Sequence, residues 1–348
     1  MGTSTRQDRT MPANLTPAYK AAEGLYRRTK EPAERLEALR EMLKAIPKHK
    51  GTEHLQSDIK AKIKELTEEL AGPTRGGAKT GPATVVKPDG AGQIALLGPP
   101  NTGKSTLHVK ATGSHAQIGQ YPFTTLYPVP GMMPVHDITI QLVDLPPIAV
   151  EHPIPWISNA LQPSDGCLLV VDLSKAGCVE RVVELHELLH ERRIELSAHW
   201  PGHGDGDADE ENDLFTKILP TLLVANKSDR GSDPSEELAI LEELAEVDYP
   251  CLAVSAATGE GLDKLGEWLF EHLGVVRVYT KIPGRDADTA RPYTVRHGAT
   301  VFEVATLVHR EIAADFKFAR LWGAANFDAQ QVGRDHVVED GDILELHA

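Results

Sequence analysis

The stretch from Gln93 to Thr106 restricts what this chain can fold into more than any other part of it. An apolar run, Ile94-Ala95-Leu96-Leu97, feeds directly into Gly98-Pro99-Pro100-Asn101-Thr102-Gly103-Lys104-Ser105-Thr106. The spacing G-x-x-x-x-G-K-S lets backbone N–H groups cradle phosphates, lets the lysine reach the β/γ-phosphates and puts the serine hydroxyl on Mg²⁺. The loop works between a strand and a helix, because the helix N-terminus adds the positive end of its dipole. An apolar strand precedes it here and an apolar helix start follows. The stretch therefore predicts an α/β domain with a nucleotide pocket, with Gly98 through Thr106 against the phosphates.

Three further segments fit that pocket in chain order. Leu142-Val143-Asp144-Leu145-Pro146-Pro147 ends an apolar strand in a carboxylate, about forty residues beyond the loop, where Asp144 can hold Mg²⁺ directly or through water. Val224-Ala225-Asn226-Lys227-Ser228-Asp229 ends another strand. Its Asp229 can accept hydrogen bonds from the N1–H and exocyclic amine of guanine, while adenine presents the wrong donors at that edge and leaves a polar group unpaired. Asn226 is expected to tie the surrounding loops together, and the Lys227 stem to lie along the base. Val254-Ser255-Ala256-Ala257 is a small-residue turn able to bring a backbone N–H to the guanine oxygen. Together these segments predict a guanine nucleotide, GTP or GDP, as the ligand. Between the loop and Asp144 lies Tyr121-Pro-Phe-Thr-Thr-Leu-Tyr-Pro128. A hydroxyl from Thr124 or Thr125, with Thr125 favoured, would complete the Mg²⁺ shell when a γ-phosphate draws the segment inward.

At 348 residues the chain is long enough for a full α/β core plus smaller domains. It contains no run of 18 apolar residues, and its N-terminus lacks the apolar centre of a signal peptide, so the expectation is a cytoplasmic protein with no membrane segment. Cys167, Cys178 and Cys251 lack ligand spacing and read as reduced packing residues. The net charge of -15 argues against indiscriminate wrapping of nucleic acid. Residues 1–70 nevertheless hold 14 Lys/Arg against 11 Asp/Glu, a mildly basic segment that suits either an anionic partner or a solvated helical surface.

Four regions are expected. Residues 1–15 are small, polar and patternless, and read as a disordered tail. Residues 16–90 hold an N-terminal helical region and a linker. Helical signals start near Pro17, and Leu36, Leu39, Leu43 and Ile46 form one stripe. After a break from Pro47 to Gly51, Thr52 can cap a second helix carrying Leu55, Ile59, Ile63, Leu66 and Leu70. Such helices need a partner for their apolar faces and are expected to close as a hairpin, either as a brace or as a docking element. Residues 91–275 form the nucleotide domain. Apolar runs at 138–143, 166–172, 221–225 and 250–255 alternate with helical patterns at 179–192, 234–245 and 262–273, which predicts a mostly parallel sheet covered on both faces. Gly202–Asp213 alternates glycine with a run of acids and reads as an exposed loop. Residues 276–348 form a strand-rich module, with strands at 276–280 and 341–347 and a helix over 299–312.

These motifs together resemble the developmentally regulated GTP-binding (DRG) proteins, a branch of the Obg-related GTPases, and in particular their shorter prokaryotic relatives. Pro47-Lys-His-Lys-Gly-Thr52 resembles their N-terminal helical region, and Gly92–Thr106, Tyr121–Leu126 and Asn226–Asp229 their phosphate loop, first switch and guanine reader. Val278–Lys281, Leu321-Trp-Gly323 and Val332–His336 resemble the TGS domain, a ubiquitin-like β-grasp module. The resemblance implies a P-loop GTPase domain and a slow, Mg²⁺-dependent GTPase linked to ribosomes, RNA or translation-associated proteins. It also implies that Asn101 helps coordinate K⁺ beside the phosphates, and that Lys104, Asn101 and Thr125 serve catalysis.

Two departures from the family matter. Where it has Asp-x-Pro-Gly, this chain has Asp144-Leu-Pro-Pro147. A glycine there would give its N–H to the γ-phosphate, and proline has none to give. Losing one such donor costs roughly 10²–10³ in rate, so the residues also fit a nucleotide-binding scaffold that barely hydrolyses GTP. In addition, the spacer from Pro147 to Asn226 is too short for the β-rich insertion of the eukaryotic members. Ile148 stands where a water-orienting residue is expected, which predicts slow turnover.

Overall fold

Gln93–Leu97 becomes β1, buried at every position, as a strand covered on both faces requires. In this computed structural model the described residues are 16–29, 31–47, 52–71, 83–113, 125–203, 215–230, 238–241, 243, 248–323 and 329–348. They divide into two units, residues 1–82 and 83–348.

The first unit contains α1 (Pro17–Arg28), α2 (Pro32–Ala45) and α3 (Glu53–Ala71). Proline opens both α1 and α2, where its missing N–H costs nothing. Thr16 caps α1 by accepting from the Tyr19 N–H, and its hydroxyl donates to the Ala45 carbonyl, which fastens the start of α1 to the end of α2. Tyr19 and Tyr26 of α1 are buried, as are Leu36, Leu39 and Met42 of α2. The stripe on α2 is thus rotated slightly from expectation, with Met42 fully buried and Leu43 half-buried. Thr52, just ahead of α3, is buried, donates to the Pro47 carbonyl and accepts from the Gln56 amide.

The second unit begins with a seven-stranded sheet: β1, β2 (Val129–Val135), β3 (Ile138–Asp144), β4 (Gly166–Val171), β5 (Ile194–Ser197), β6 (Lys217–Asn226) and β7 (Cys251–Val254). The order is β2-β3-β1-β4-β6-β5, with β7 also on β6, and only the β2–β3 pair is antiparallel. Helices packed on it include α4 (Lys104–Thr112), α5 (Ile157–Leu161), α6 (Cys178–His190) and α7 (Leu262–His272). Alternate strand residues face opposite layers. Leu96, Leu142 and Leu168 pack with Leu107 of α4 and Leu265 of α7, whereas Leu97, Val143 and Leu169 pack with Leu161 of α5 and Leu185 of α6.

β2 and β5 lie outside the runs expected from sequence. β2 carries Pro130 and Pro134, which edge strands tolerate because one side needs no ladder donors. Most of the helix expected over 234–245 and most of the acidic stretch 202–213 lie outside the described residues.

The C-terminal module adds β8 (Val275–Lys281), β9 (Ala287–Arg296), α8 (Val301–Val308), α9 (Arg310–Ala314), β10 (Phe318–Trp322), β11 (Gln330–Val332) and β12 (Asp342–His347). Its sheet runs β11-β10-β12-β8-β9, with the neighbouring β12 and β8 parallel. Val301 and Val304 of α8 cover one face, against Val278, Leu321 and Leu344. The single helix expected over 299–312 is broken at His309, whose backbone is extended (φ -164°, ψ 133°) and whose ring caps α9.

Charged clamps join this module to the seven-stranded sheet. Arg277 on β8 donates to Asp137 in the β2–β3 turn (2.9 Å) and makes two bonds to Asp340, while its guanidinium lies 4.8 Å over the Phe270 ring of α7. Tyr279 donates to the other Asp137 oxygen. Burial alone would raise the Asp137 carboxyl; the bonds from Tyr279 and Arg277 outweigh it and hold the group below the usual range. Arg296 on β9 pairs with Asp165 at 2.7 Å, whose other oxygen accepts the N–H of Gln93 at the start of β1. A double-mutant cycle of Asp137→Asn with Arg277→Gln, read by urea unfolding, is expected to give a coupling of about 1 kcal/mol; additive effects would show that the pair contributes nothing to the joint.

Candidate functional site

The carboxyl ends of β1, β3, β4 and β6 open on one edge of the sheet, and the loops there hold the candidate residues. Register fixes their levels, with Leu96 beside Asp144 and Asn226 beside Val254. Two glycines make the phosphate loop possible. At Gly98 (φ +141°) a Cβ would sit 2.3 Å from the Val170 carbonyl oxygen. At Gly103 (φ +94°) it would sit 2.4 Å from the Asn226 amide nitrogen. Both positions need positive φ and close approach, which only glycine supplies without strain. Asn101 also adopts positive φ, at 64°, which asparagine tolerates better than most side chains.

Lys104 opens α4 and is buried, with its Nζ donating to the carbonyls of Gly98 and Pro99 at 2.8 Å each. Burial pushes the ammonium down to about 8, partly offset by the charge of Asp144. Because this folded-state value lies below the 10.5 of an exposed lysine, the unfolded chain binds more protons between the two values. The lysine's contribution to stability therefore rises with pH across that window.

Ser105, Thr125 and Asp144 meet. Ser105 Oγ donates to Asp144 Oδ2 at 2.6 Å, Thr125 Oγ1 to the same oxygen at 3.1 Å, and the two hydroxyls are 3.1 Å apart. Asp144 is 2% exposed, and its Oδ1 has no hydrogen-bond partner among the described residues. A buried carboxylate oxygen without a donor costs stability unless something cationic or protic meets it. The arrangement therefore fits a hard cation such as Mg²⁺, which takes oxygen ligands and uses few protein groups. Thr124 lies outside the described residues.

At the other end of the loop, Asn226 is a cross-brace. Its Nδ2 donates to the Thr102 carbonyl (2.8 Å) and its Oδ1 accepts the Ala256 N–H (2.9 Å). Three loops are thereby pinned by one side chain. Lys227 Nζ donates to the Asn101 carbonyl at 2.8 Å and pairs with Asp172 at 2.6 Å. Asp229 accepts from Ser255 Oγ at 2.6 Å, and that oxygen also accepts the Thr258 N–H. Thr106 lies in the first turn of α4, and Pro99 and Pro100 form the outer wall of the loop.

Asp172 is a residue that the sequence reading passed over. Burial alone would raise its carboxyl, but bonds from Lys227 and Ser174 outweigh that and hold it below the usual range. It ends the β4 run in the way that Asp144 ends β3, and that parallel was the available signal. A cavity of about 510 Å³ adjoins the loop's outer side, lined by Pro99, Asn101, Glu151, Asp172 and Lys175 among others. Neither Asn226 nor Asp229 lines it, so it is distinct from the proposed base pocket. Pro147 and Ile148, just beyond Asp144, are buried.

A family model described as 50S ribosome-binding GTPase matches residues 93–198, and one described as TGS domain matches residues 276–348. A GTP-binding protein of Methanocaldococcus jannaschii is 30% identical over 365 residues, covering 90% of this chain and 92% of that protein. Developmentally-regulated GTP-binding protein 2 of Homo sapiens is 28% identical, covering 89% of this chain and 98% of its own. Among solved structures, the YchF GTPase of Schizosaccharomyces pombe aligns with a TM-score of 0.54 at 14% identity, over 75% of this chain and 99% of that one, a likeness of fold alone.

The brace is open to a direct test. Asn226→Ala leaves the Thr102 carbonyl and the Ala256 N–H unpaired, and is expected to lower stability by about 2–3 kcal/mol in urea unfolding. A loss below about 0.5 kcal/mol would mean that the three loops hold their places without it.

Proposed function

Because the chain belongs to the Obg-related P-loop GTPases that carry a C-terminal TGS domain, we propose that it is a slow, Mg²⁺-dependent GTPase of the DRG type, in the prokaryotic short form. In this reading bound GTP orders the segment around Thr125 and alters affinity for a ribosomal or other RNA–protein partner. The observation that carries it is the meeting of the Ser105, Thr125 and Asp144 oxygens within 2.6–3.1 Å beside the phosphate loop.

Lys104 exchanges the two loop carbonyls for phosphate oxygens, and the loop amides with the α4 N-terminus hold the phosphate tail. Ser105, Thr125 and Asp144 orient the metal, which when bound neutralises charge on the transferred phosphoryl. Asp229 accepts from the guanine N1–H and amine, the Ala256 region offers an N–H to its oxygen, and the Lys227 stem covers the base. Asn101 helps hold K⁺ near the phosphates. No side chain here is assigned as a general base, and water attacks in line. The description of the matching family model, a ribosome-binding GTPase, supports the choice of partner.

A second reading, a GTP- or GDP-loaded scaffold with little hydrolysis, is favoured by Pro147, which has no N–H to offer the γ-phosphate. The readings share nucleotide recognition and part at turnover.

Titration of the full chain is expected to show GTP preferred over ATP by more than about 10²-fold. Asp229→Ala should abolish the preference, and chelating Mg²⁺ should weaken GTP binding; equal affinity for ATP and GTP would overturn the guanine assignment. Single-turnover hydrolysis on the same sample separates the two readings, since GTP that stays bound and intact for hours selects the scaffold. Pro147→Gly is expected to raise the rate by roughly 10²-fold, and K⁺ to support faster release of phosphate than Na⁺. Identical rates in the two salts would remove the role given to Asn101.

A further inference from the structure

β4 and β6 are neighbours in register, with Val171 beside Ala225, so the residues just past their ends arrive at the same edge of the sheet. Asp172 follows β4 directly and Lys227 follows β6. Their side chains meet. Lys227 Nζ lies 2.6 Å from Asp172 Oδ2, and the same ammonium donates to the Asn101 carbonyl at 2.8 Å. The other Asp172 oxygen accepts from Ser174 Oγ at 2.6 Å, which fixes the rotation of the carboxylate. The acid side chain is 5% exposed and that of the lysine 23%, so the pair is shielded from the solvent that weakens surface pairs.

Both ends of the Lys227–Asn101 bond are held in the left-handed region, at φ +70° and φ +64°. A backbone other than glycine costs energy there and persists only where its surroundings over-determine it. The stem of Lys227 passes over the phosphate loop, since a Cβ placed on Gly103 would lie 3.9 Å from Lys227 Cε. That stem is flexible, and its ammonium is a compact charge drawn to the strongest nearby anion. In a loaded pocket the strongest anion is the phosphate tail. An unrestrained Lys227 would turn toward the phosphates and carry its stem off the base. Asp172 supplies a competing charge on the outer side of the loop. The pair is formed before a nucleotide arrives, so the stem is already ordered when the nucleotide binds.

We propose that Asp172 is a positioning residue for the nucleotide: it anchors the Lys227 ammonium beside Asn101, so that the lysine stem stays along the guanine ring and slows release of the ligand. The proposal rests on the guanine-nucleotide reading above and adds to it a carboxylate that belongs to neither the phosphate loop, the metal set nor the base reader. In this arrangement Asp172 acts through Lys227 alone. Ser174 in turn keeps the carboxylate facing the lysine. The strut also ties the base end of the pocket to the phosphate end, because one ammonium bonds the loop carbonyl of Asn101 while its own backbone leads into Asp229.

The test uses the full chain with Mg²⁺ and GDP carrying a fluorescent N-methylanthraniloyl group on its ribose, released by an excess of unlabelled GDP. Asp172→Ala is expected to speed release about tenfold, the loss of one charge-assisted hydrogen bond. Asp172→Asn keeps an oxygen for Nζ but not the charge, and should fall between wild type and the alanine variant. Lys227→Met keeps the stem and removes the ammonium, and should speed release about as much as Asp172→Ala does. The double variant should release GDP no faster than Lys227→Met, because the acid has nothing left to position. A carboxylate that merely braced the fold would give effects that multiply. If Asp172→Ala loses its cooperative thermal transition, Asp172→Asn with and without Lys227→Met carries the same comparison. The proposal is overturned if folded Asp172 variants release GDP within about twofold of wild type, or if the two substitutions multiply. A wild-type chain that retains labelled ADP as long as labelled GDP would remove the guanine reading and the proposal with it. A wild type that prefers GDP beside unaffected variants removes the proposal alone.

Discussion

The pocket edge depends on one amide side chain. Asn226 reaches from the end of β6 to the Thr102 carbonyl of the phosphate loop and the Ala256 N–H of the turn after β7. It can do so because Gly103 has no Cβ in the 2.4 Å that would separate such an atom from the Asn226 nitrogen. The phosphate loop and the Ala256 turn are both held by this brace. Lys227 adds a second fastening, donating to the Asn101 carbonyl and pairing with Asp172. A fixed cradle matters because stabilisation of phosphate charge requires donors that do not have to reorganise.

The β2–β3 hairpin has two ends with different duties. Asp144, at the end of β3, meets Ser105 and Thr125, while Asp137, in the turn, holds Arg277 and Tyr279 of the β-grasp module. A single antiparallel pair thus runs from the candidate metal site to the joint with the C-terminal sheet. Arg277 is buttressed by Asp340 and the Phe270 ring, so the joint is a network rather than an isolated surface pair.

Charge is distributed unevenly enough that the total misleads. Acidic residues outnumber basic ones, 51 to 36, in the whole chain. Locally, Lys104 is buried against carbonyls, and three basic groups surround Glu345 on the outer β-grasp face. Local geometry, with the screening length of about 10 Å at moderate salt, decides what each surface attracts.

Elements whose signal is local could be read from residue order alone. The apolar runs of β1, β3, β4 and β6 demanded a covered parallel sheet, the glycine spacing of 98–103 demanded a loop between strand and helix, and Asp144, Asn226 and Asp229 stood at strand ends where that sheet opens. Tertiary structure decided what depends on position in the fold. β2, with two prolines, is a strand only because it lies at an edge, and β5 is four residues too short to stand out. Met42 displaced Leu43 from the α2 core because neighbouring helices, not periodicity alone, set the buried face. The extended backbone of His309 split a helix whose composition read as continuous. Asp172 and the basic groups around Glu345 were invisible for the same reason. Their partners lie 55 residues away for Lys227 and on neighbouring strands for Glu345, and only strand order and register bring such groups together.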